Sequence, residues 1–265
     1  MKTLEVKPLL KVNHLGIQFG GLKAVSEFNL TLHKGELVGL IGPNGAGKTT
    51  VFNMLTGVYV PTEGEIIFDG KKLNGLPPYK ITRRGISRTF QNIRLFADLS
   101  VLDNVRIGYH TLAKNSLLSS ILRLPPHFSN EKEMKEKSIE FLKIFRLDHL
   151  KDEKAKNLPY GMQRRLEIAR ALSTGPKLLL LDEPAAGMNP KETTELMDLM
   201  AFIREQFDLT ILLIEHDMKL VMGICERISV LDHGLLIAEG SPEEVRNHPK
   251  VIEAYLGEEV GEEHA

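Results

Sequence analysis

The stretch Gly42-Pro43-Asn44-Gly45-Ala46-Gly47-Lys48-Thr49-Thr50 decides the fold of this chain. It follows the apolar run Leu37–Ile41 and has the spacing G-x-x-x-x-G-K-[ST], which is typical of a turn from a buried strand into a helix. The glycines let successive backbone N–H groups point at phosphate oxygens, at a helix N-terminus that favours anions. We therefore predict a phosphate-binding loop in which Lys48 reaches the β- and γ-phosphates and the Thr49 hydroxyl ligates Mg²⁺.

A pair of acids follows a second apolar run, in Leu178-Leu179-Leu180-Leu181-Asp182-Glu183. Carboxylates placed there lie at the C-terminal end of a buried strand, where ligands bind in open α/β sheets. Beside the phosphate loop, Asp182 is predicted to hold Mg²⁺, usually through water, and Glu183 to polarise the attacking water. Taken alone, the pair would also fit an ordinary strand end.

Short apolar runs indicate an α/β core. Leu37–Ile41, Leu178–Leu181 and Ile211–Ile214 are too short for helices, and they are typical of strands buried on both faces of a parallel sheet. Between them lie helical patterns of period 3.6, of which the clearest begins at Asn189-Pro190 with Glu192 at the third helical position. This helix is predicted to bury one face, formed by Leu196, Met200, Ile203 and Phe207.

Two regions depart from this alternation. Residues 9–34 and 64–75 alternate in polarity and contain Gly-rich turns, which predicts an antiparallel flap beside the main sheet. Residues 100–174 have almost no strand signal and are expected to form consecutive helices, with an amphipathic one over 130–145. An insertion is predicted at about 112–135, with a turn within 112–129 that includes Pro125-Pro126, and the acidic tail 257–265 is expected to be frayed.

Composition excludes several classes of protein. The 265 residues carry 34 Lys and Arg against 35 Asp and Glu, and a net charge of −1 gives no electrostatic reason to expect a nucleic-acid partner. The single Cys225 is expected to be reduced and structural. The apolar runs are far shorter than the roughly 20 residues of a membrane span, and Met1–Leu10 has no signal-peptide core. We expect a soluble, intracellular, globular protein.

The order of these segments resembles that of ABC-type ATPases over essentially the whole chain. It runs from the phosphate loop through Gln91, Leu158-Pro159-Tyr160-Gly161-Met162-Gln163-Arg164-Arg165 and Asp182-Glu183 to Ile214-Glu215-His216-Asp217. The resemblance implies an α/β fold with a RecA-like parallel-sheet core, an antiparallel β flap and an α-helical subdomain. One ABC ATPase domain would fill 1–265, with 1–91 and 175–265 as the core, flap and C-terminal helices and 92–174 as the helical subdomain.

The resemblance also implies roles for single residues, with ATP and Mg²⁺ as the ligands. Gln91, which follows a strand predicted over Ser87–Phe90, corresponds to a lid residue that touches Mg²⁺ and the attacking water, and His216 to a switch residue that hydrogen-bonds the γ-phosphate. Phe19 stands where the family places an aromatic ring on adenine, although it could simply cover the flap. The implied set comprises Glu183, His216, Lys48 and Gln91 for catalysis, Thr49, Gln91 and Asp182 for the metal, and Phe19, Gly42–Thr50, Gln91, Asp182 and His216 for ATP.

The signature segment departs from the family pattern. In the family, two copies face each other head to tail, and the L-S-G-G-Q signature of one contacts the ATP of the other. Here it reads Leu158-Pro159-Tyr160-Gly161-Met162, followed by Gln163, so the serine hydroxyl is missing and Pro159 has no N–H to donate. Gly161, nearby amides and the N-terminus of a helix from about Met162 to Leu172 remain. We expect a weaker contact across the dimer, or a pair in which one of the two sites is less active.

Asn189 replaces the Asp that the family usually has in the loop at the dimer seam, or it serves chiefly as a helix cap.

Three classes of function compete. An ATPase subunit of a membrane transporter is favoured, because soluble relatives acting on ribosomes or DNA tend to carry two modules, a coiled-coil insertion or zinc-binding cysteines. A nucleotide-gated binding module without turnover is disfavoured by Lys48, Asp182, Glu183 and His216. Among transporter subunits, residues 158–171, 185–193, 213–222 and 254–258 resemble ATPases of branched-chain amino-acid importers, and the insertion resembles that of the larger subunit. ATPases of lipopolysaccharide export, or of urea or amide uptake, are the alternatives.

The resemblance implies partners as well. These are a second ABC ATPase subunit or a second copy, two membrane permease subunits and, indirectly, a periplasmic or extracellular solute-binding protein. The chain would then lie on the cytoplasmic face of the membrane.

Overall fold

The computed structural model describes the backbone of residues 7–110 and 125–262, and the side chains of residues 7–109 and 134–255. The strands are β1 Leu10–Phe19, β2 Leu22–Leu32, β3 Leu37–Ile41, β4 Glu63–Phe68, β5 Lys71–Lys72, β6 Ile86–Arg88, β7 Leu178–Asp182, β8 Thr210–Ile214, β9 Arg227–Asp232 and β10 Leu235–Gly240. The α-helices are α1 Lys48–Leu55, α2 Pro78–Arg83, α3 Val101–His110, α4 Pro125–Ile144, α5 Tyr160–Leu172, α6 Pro190–Gln206, α7 Met218–Ile224, α8 Pro242–Arg246 and α9 Pro249–Glu262. Short 3₁₀ turns cover Asp148–Leu150 and Ala155–Asn157.

The central sheet has the strand order β10-β9-β3-β8-β7-β6. Strands β9, β3, β8, β7 and β6 pair in parallel, and β10 pairs antiparallel to β9 at one edge. Every residue of β3, β7 and β8 is buried, which confirms the three strands predicted from the apolar runs. The carboxyl ends of these strands meet at one edge, where the phosphate loop and the acid pair follow.

The predicted antiparallel flap is a second sheet, with the order β2-β1-β4-β5. Its apolar face packs against one face of the central sheet and against α1, in a core that contains Leu10, Phe28 and Phe68 of the flap and Val51 and Phe52 of α1. The flap therefore places the start of β2 beside the phosphate loop.

Among the described residues of 100–174, which follow β6 and precede β7 in sequence, helices dominate as predicted, with an isolated bridge between Ser100 and Lys154. In α4 and the turn after it, Met134, Ser138, Leu142 and Phe145 are buried, which confirms the amphipathic helix. Pro125-Pro126 begin α4 instead of lying in a turn, because proline is well tolerated in the first turn of a helix. Residues 111–124, which hold most of the predicted insertion, lie outside the described residues.

Several predicted ends need correction. Helix α5 begins at Tyr160, two residues before the expected Met162, because Pro159 takes the N-cap position. Strand β6 covers Ile86–Arg88, although a strand was predicted over 87–90. Helix α9 continues to Glu262 through most of the tail that was expected to be frayed.

The cap of α6 is the one predicted. Asn189 Oδ1 accepts hydrogen bonds from the backbone N–H groups of Lys191 and Glu192, and Glu192 Oε2 accepts one from the Asn189 N–H, each at 3.0 Å. Leu196, Met200 and Ile203 are buried, but Phe207 is partly exposed because the helix ends at Gln206. Across the described ranges, none of the helices has both the length and the apolar character needed to cross a bilayer.

Candidate nucleotide-binding site

The loop between β3 and α1 is pressed between two other strands. A Cβ on Gly42 would lie 2.0 Å from the Leu231 carbonyl oxygen of β9, and one on Gly47 would lie 2.9 Å from the Ala24 carbonyl oxygen of β2. Both glycines have φ in the left-handed region, at 150° and 103°. The Gly234 N–H also donates to the Ala46 carbonyl at 2.9 Å. Only glycine fits these two positions, so the curled backbone is built into the fold.

Lys48 lies inside the curl of this loop. Its side chain is buried, and Nζ donates hydrogen bonds to the carbonyl oxygens of Gly42 at 2.6 Å and Pro43 at 2.8 Å. The Lys48 ammonium group thus lies in the loop that leads into the N-terminus of α1, and both the cation and the N-terminal N–H groups of a helix attract the anionic oxygens of an oligophosphate.

The loop opens onto a cleft of about 500 Å³. Gln91 and Glu183 line the same cleft, so the structure brings together three of the segments predicted from sequence. The lining residues are Leu22, Lys23, Ala24, Asn44, Gly45, Ala46, Gly47, Lys48, Thr49, Thr50, Gln91, Glu183 and His233.

Glu183 is the centre of a polar cluster. Its Oε2 accepts a hydrogen bond from Gln91 Nε2 at 2.7 Å, and His216 Nε2 lies 3.3 Å from the same oxygen. The Glu183 backbone has φ 48°, a conformation that non-glycine residues rarely adopt, and its N–H donates to Ile214 O at 2.9 Å. The end of β8, through Ile214, thus helps to hold the Glu183 carboxylate next to the Gln91 amide and the His216 imidazole.

Asp182 is buried beside the cleft. Its Oδ2 accepts a hydrogen bond from Arg88 Nη2 at 2.6 Å, and its backbone N–H donates to Thr89 Oγ1 at 3.3 Å. Sequence reasoning did not identify Arg88 as part of the site. A charged residue within the strand predicted at 87–90 was the signal that could have found it.

No role of its own was predicted for Glu215, yet its buried carboxylate accepts hydrogen bonds from two loops of the site. Its Oε1 accepts from the Ala185 N–H at 2.8 Å and its Oε2 from the His216 N–H at 3.1 Å. Burial raises the pKa of the Glu215 carboxyl, and these backbone hydrogen bonds oppose the shift. The residue thereby links the loop after Glu183 to the segment that carries His216.

Phe19 lies at the end of β1 and is not among the described residues that line the cleft. Its ring is half-exposed and packs edge-to-face on Tyr59, with the ring centroids 5.2 Å apart. The structure therefore places this ring outside the cleft lining but partly accessible, and its role in stacking on adenine stays a prediction.

The signature residues also lie away from the cleft of their own chain, among the residues described. Pro159 caps α5, and its carbonyl accepts hydrogen bonds from the N–H groups of Met162 and Gln163, each at 3.0 Å. Tyr160 is exposed, and a Cβ on Gly161 would lie 3.0 Å from Glu192 Oε1, so the start of α5 packs on the start of α6.

The donor set of Thr49, Gln91 and Asp182 fits Mg²⁺. Mg²⁺ prefers oxygen ligands, and it usually takes one or two from protein side chains while phosphates and water complete its shell. The Thr49 hydroxyl and the Gln91 amide line the cleft, and the Asp182 carboxylate is buried beside it, so oxygen ligands of this kind are present. The structure therefore contains residues able to bind a magnesium–nucleotide complex.

Comparison with known proteins agrees with this geometry. The family model described as "ABC transporter" matches residues 25–186, and the one described as "Branched-chain amino acid ATP-binding cassette transporter" matches residues 236–261. The high-affinity branched-chain amino acid transport ATP-binding protein LivG of Escherichia coli (strain K12) is 52% identical over 95% of this chain and 99% of its own length. BraF of Pseudomonas aeruginosa, which has the same description, is 48% identical over the same shares.

A solved structure is similar along most of the chain. The crystal structure of the ADP conformation of an ATP-binding cassette of an ABC transporter superposes with a TM-score of 0.82 and 33% identity, over 95% of this chain and 99% of that one. The fold, the phosphate loop and these matches lead to one conclusion: the chain belongs to the ABC transporter family of ATP-binding proteins.

Proposed function

We propose that this chain binds and hydrolyses ATP to drive the uptake of the branched-chain amino acids Leu, Ile and Val through separate membrane permease subunits. The observation that carries the ATPase part is the single cleft in which the phosphate loop, Gln91 and Glu183 meet. The assignment of the solute follows from the match of residues 236–261 to a branched-chain amino-acid cassette and from the identity to LivG.

In the proposed reaction, Glu183 orients a water molecule for in-line attack on the γ-phosphate, with the Gln91 amide fixing its carboxylate. Lys48 and His216 stabilise the charge on the transferred phosphoryl group. Mg²⁺, held by Thr49, Asp182 and Gln91, would neutralise charge on the β- and γ-phosphate oxygens.

The site of one chain is proposed to be completed by a second ATPase subunit. The signature residues Pro159–Gln163 do not line the cleft of their own chain and lie at the start of α5, which supports a contact with the nucleotide of a facing subunit. We infer a heterodimer with a second ABC ATPase, or a homodimer, bound on the cytoplasmic face of the membrane to two permeases that a solute-binding protein supplies.

Two parts of the chain have distinct roles in this proposal. Residues 1–91 and 175–265 form the nucleotide-binding core with its flap, and 92–174 form the helical subdomain that transmits movement to the permeases. Because Pro159 offers neither hydroxyl nor N–H, the contact of this signature with the facing ATP is expected to be weaker than that of a serine-containing signature.

The ATPase proposal is tested by nucleotide binding and turnover of the purified chain and of its complex. Lys48→Ala is expected to lose Mg-ATP binding, whereas Glu183→Gln is expected to bind ATP and to lose steady-state hydrolysis. The matched control is Glu205→Gln, since Glu205 is an exposed acid near the end of α6 and does not line the cleft. Wild-type affinity in the lysine variant, or substantial hydrolysis in the Glu183 variant, would contradict these roles.

The solute is tested by uptake. The chain would be reconstituted in vesicles with the permeases, second ATPase and binding protein encoded beside it, and labelled leucine, isoleucine, valine, urea and short amides would be compared. ATP-dependent uptake of the three branched-chain amino acids supports the proposal. Uptake of only urea or amides, or neighbouring genes for lipopolysaccharide export, ribosomes or repair, would reverse it.

A further inference from the structure

Arg88 forms a buried bridge between two segments of the nucleotide-binding site. Its side chain is 5% exposed at the end of β6. One end of the guanidinium, Nη2, donates to Asp182 Oδ2 at 2.6 Å, and the other, Nη1, donates to Asn53 Oδ1 at 2.6 Å. Because a guanidinium is a rigid planar fork, these two contacts fix the distance between their acceptors.

The two acceptors belong to the two elements that carry the proposed metal ligands. Asp182 is the last residue of β7. Asn53 lies on α1 four residues after Thr49, so the two side chains share one helix face, one turn apart. Arg88 therefore connects the strand of one ligand to the helix of the other.

The surroundings of the bridge keep it in place. The guanidinium carbon lies 5.4 Å from the centre of the Phe52 ring and 5.0 Å from that of Phe90, and both contacts exclude water. The next residue, Thr89, accepts the backbone N–H of Asp182. Arg88 Nε is buried and has no hydrogen-bond partner in the described part of the chain. A buried charge with one donor unsatisfied is weak evidence for a gain in stability, which favours a positional role.

We propose that Arg88 is a positioning residue for the metal: it orients the Asp182 carboxylate and holds β7 and α1 at the separation at which Asp182 and Thr49 act together. The inference rests on the proposed function, because it assumes that these two residues bind Mg²⁺ with ATP. Partners that orient metal ligands in this way typically change metal affinity by about 10- to 100-fold when they are replaced.

The test measures metal binding separately from nucleotide binding and from turnover. Mn²⁺ would be titrated into the protein–ADP complex and followed by electron paramagnetic resonance, and the affinity for ADP alone would be measured in EDTA. Arg88→Met is expected to lower Mn²⁺ affinity by about 10- to 100-fold and to leave the affinity in EDTA within about two-fold of wild type. Asn53→Ala keeps the Arg88–Asp182 pair but removes the bridge, and it is expected to lower Mn²⁺ affinity as well.

Arg94→Met is the matched control. Arg94 is exposed and its guanidinium lies over the same Phe90 ring, 4.2 Å from the ring centre, so its removal tests for a general effect of losing a cation there. Its Mn²⁺ affinity is expected to equal that of wild type. If Arg88→Met does not fold, Asn53→Ala and Arg88→Lys decide, since the lysine variant keeps the charge without the fork and is expected to lose metal affinity.

The outcomes separate this inference from the proposal on which it rests. Unchanged or higher Mn²⁺ affinity in both the Arg88 and the Asn53 variants, with a metal site present in wild type, overturns the positioning role alone. Wild-type protein that binds ADP without any Mn²⁺ signal overturns the metal site itself, and with it both statements.

Discussion

Replacement of Arg164 by methionine is expected to destabilise the junction between α5 and the segment that carries Gln91. Arg164 is completely buried. Its Nη1 donates to Phe90 O at 2.7 Å and to Glu167 Oε2 at 2.9 Å, and its Nη2 donates to Gln91 O at 2.8 Å and to Tyr160 Oη at 3.2 Å. A single side chain thus binds two successive carbonyls of the Gln91 segment to the helix that follows the signature.

The magnitude follows from what the substitution leaves behind. Glu167 is also buried, and after the substitution it keeps the hydrogen bond from the backbone N–H of Arg94 at 3.0 Å and the electrostatic attraction of Arg170. Removal of one member of a buried ion pair leaves an uncompensated charge and typically costs about 3–5 kcal/mol. The double variant Arg164→Met/Glu167→Met removes both charges and keeps similar volumes, so it is expected to be more stable than Arg164→Met alone.

Urea unfolding followed by circular dichroism measures both variants and Glu167→Met in one double-mutant cycle. Hydrogen exchange of the amides in 90–94 is expected to accelerate in Arg164→Met before global unfolding does. The control is Arg165→Met, since Arg165 pairs with the half-exposed Glu195 and such pairs contribute about 0–1 kcal/mol. Strictly additive effects of the two single variants, or a loss in Arg164→Met no larger than in the control, would refute the reasoning.

Four further outcomes are expected. In a competition assay, Phe19→Ala should lower the affinity for ATP more than the affinity for inorganic triphosphate, because only ATP has a base to stack. An equal loss of both affinities would contradict the role of Phe19 in adenine binding. Gly42→Ala should abolish nucleotide binding in calorimetry, because the new Cβ would lie 2.0 Å from Leu231 O, while Gly21→Ala, with nothing within 4 Å, should bind normally. Burial raises the pKa of the Cys225 thiol to about 12 from 9.0, so iodoacetamide should react much faster in urea than in buffer at pH 8. Because this pKa is higher in the folded than in the unfolded protein, the thiol contributes to the free energy of unfolding fully below pH 9, and the contribution is lost as the pH rises towards 12. In urea unfolding, Cys225→Ala should therefore reduce the fall in the free energy of unfolding over this pH range. An unchanged fall would contradict the prediction.

Three strands of the central sheet, β3, β7 and β8, could be predicted because their sequences are almost entirely apolar. A strand with apolar side chains on both faces must bury both faces, as strands of a parallel sheet do. All three apolar runs are parallel strands of one sheet: Leu37–Ile41, Leu178–Leu181 and Ile211–Ile214. The α6 cap was equally readable, since Asn189, Pro190 and Glu192 satisfy a local rule that involves only one turn of chain.

The errors fall where local rules leave a choice. Pro125-Pro126 fits both a turn and the first turn of a helix, and in the structure these residues begin α4. The tail after Gly257 reads as acidic and unsupported, yet α9 continues through it to Glu262. The start of α5 was predicted at about Met162, but Pro159 takes the N-cap position and the helix begins at Tyr160.

The part of the site that sequence could not supply is its network of buried charges. In a local window Arg88, Arg164 and Glu167 fit a solvated surface, because arginine and glutamate are almost never fully buried without partners. Their partners lie far along the chain: Arg88 meets Asp182 across 94 positions, and Arg164 meets Phe90 across 74. Only the fold brings them together, since β6 lies next to β7 and α5 packs behind β6. A motif can therefore name the groups that touch ATP, whereas the residues that hold those groups in position become visible only once the strand order is known.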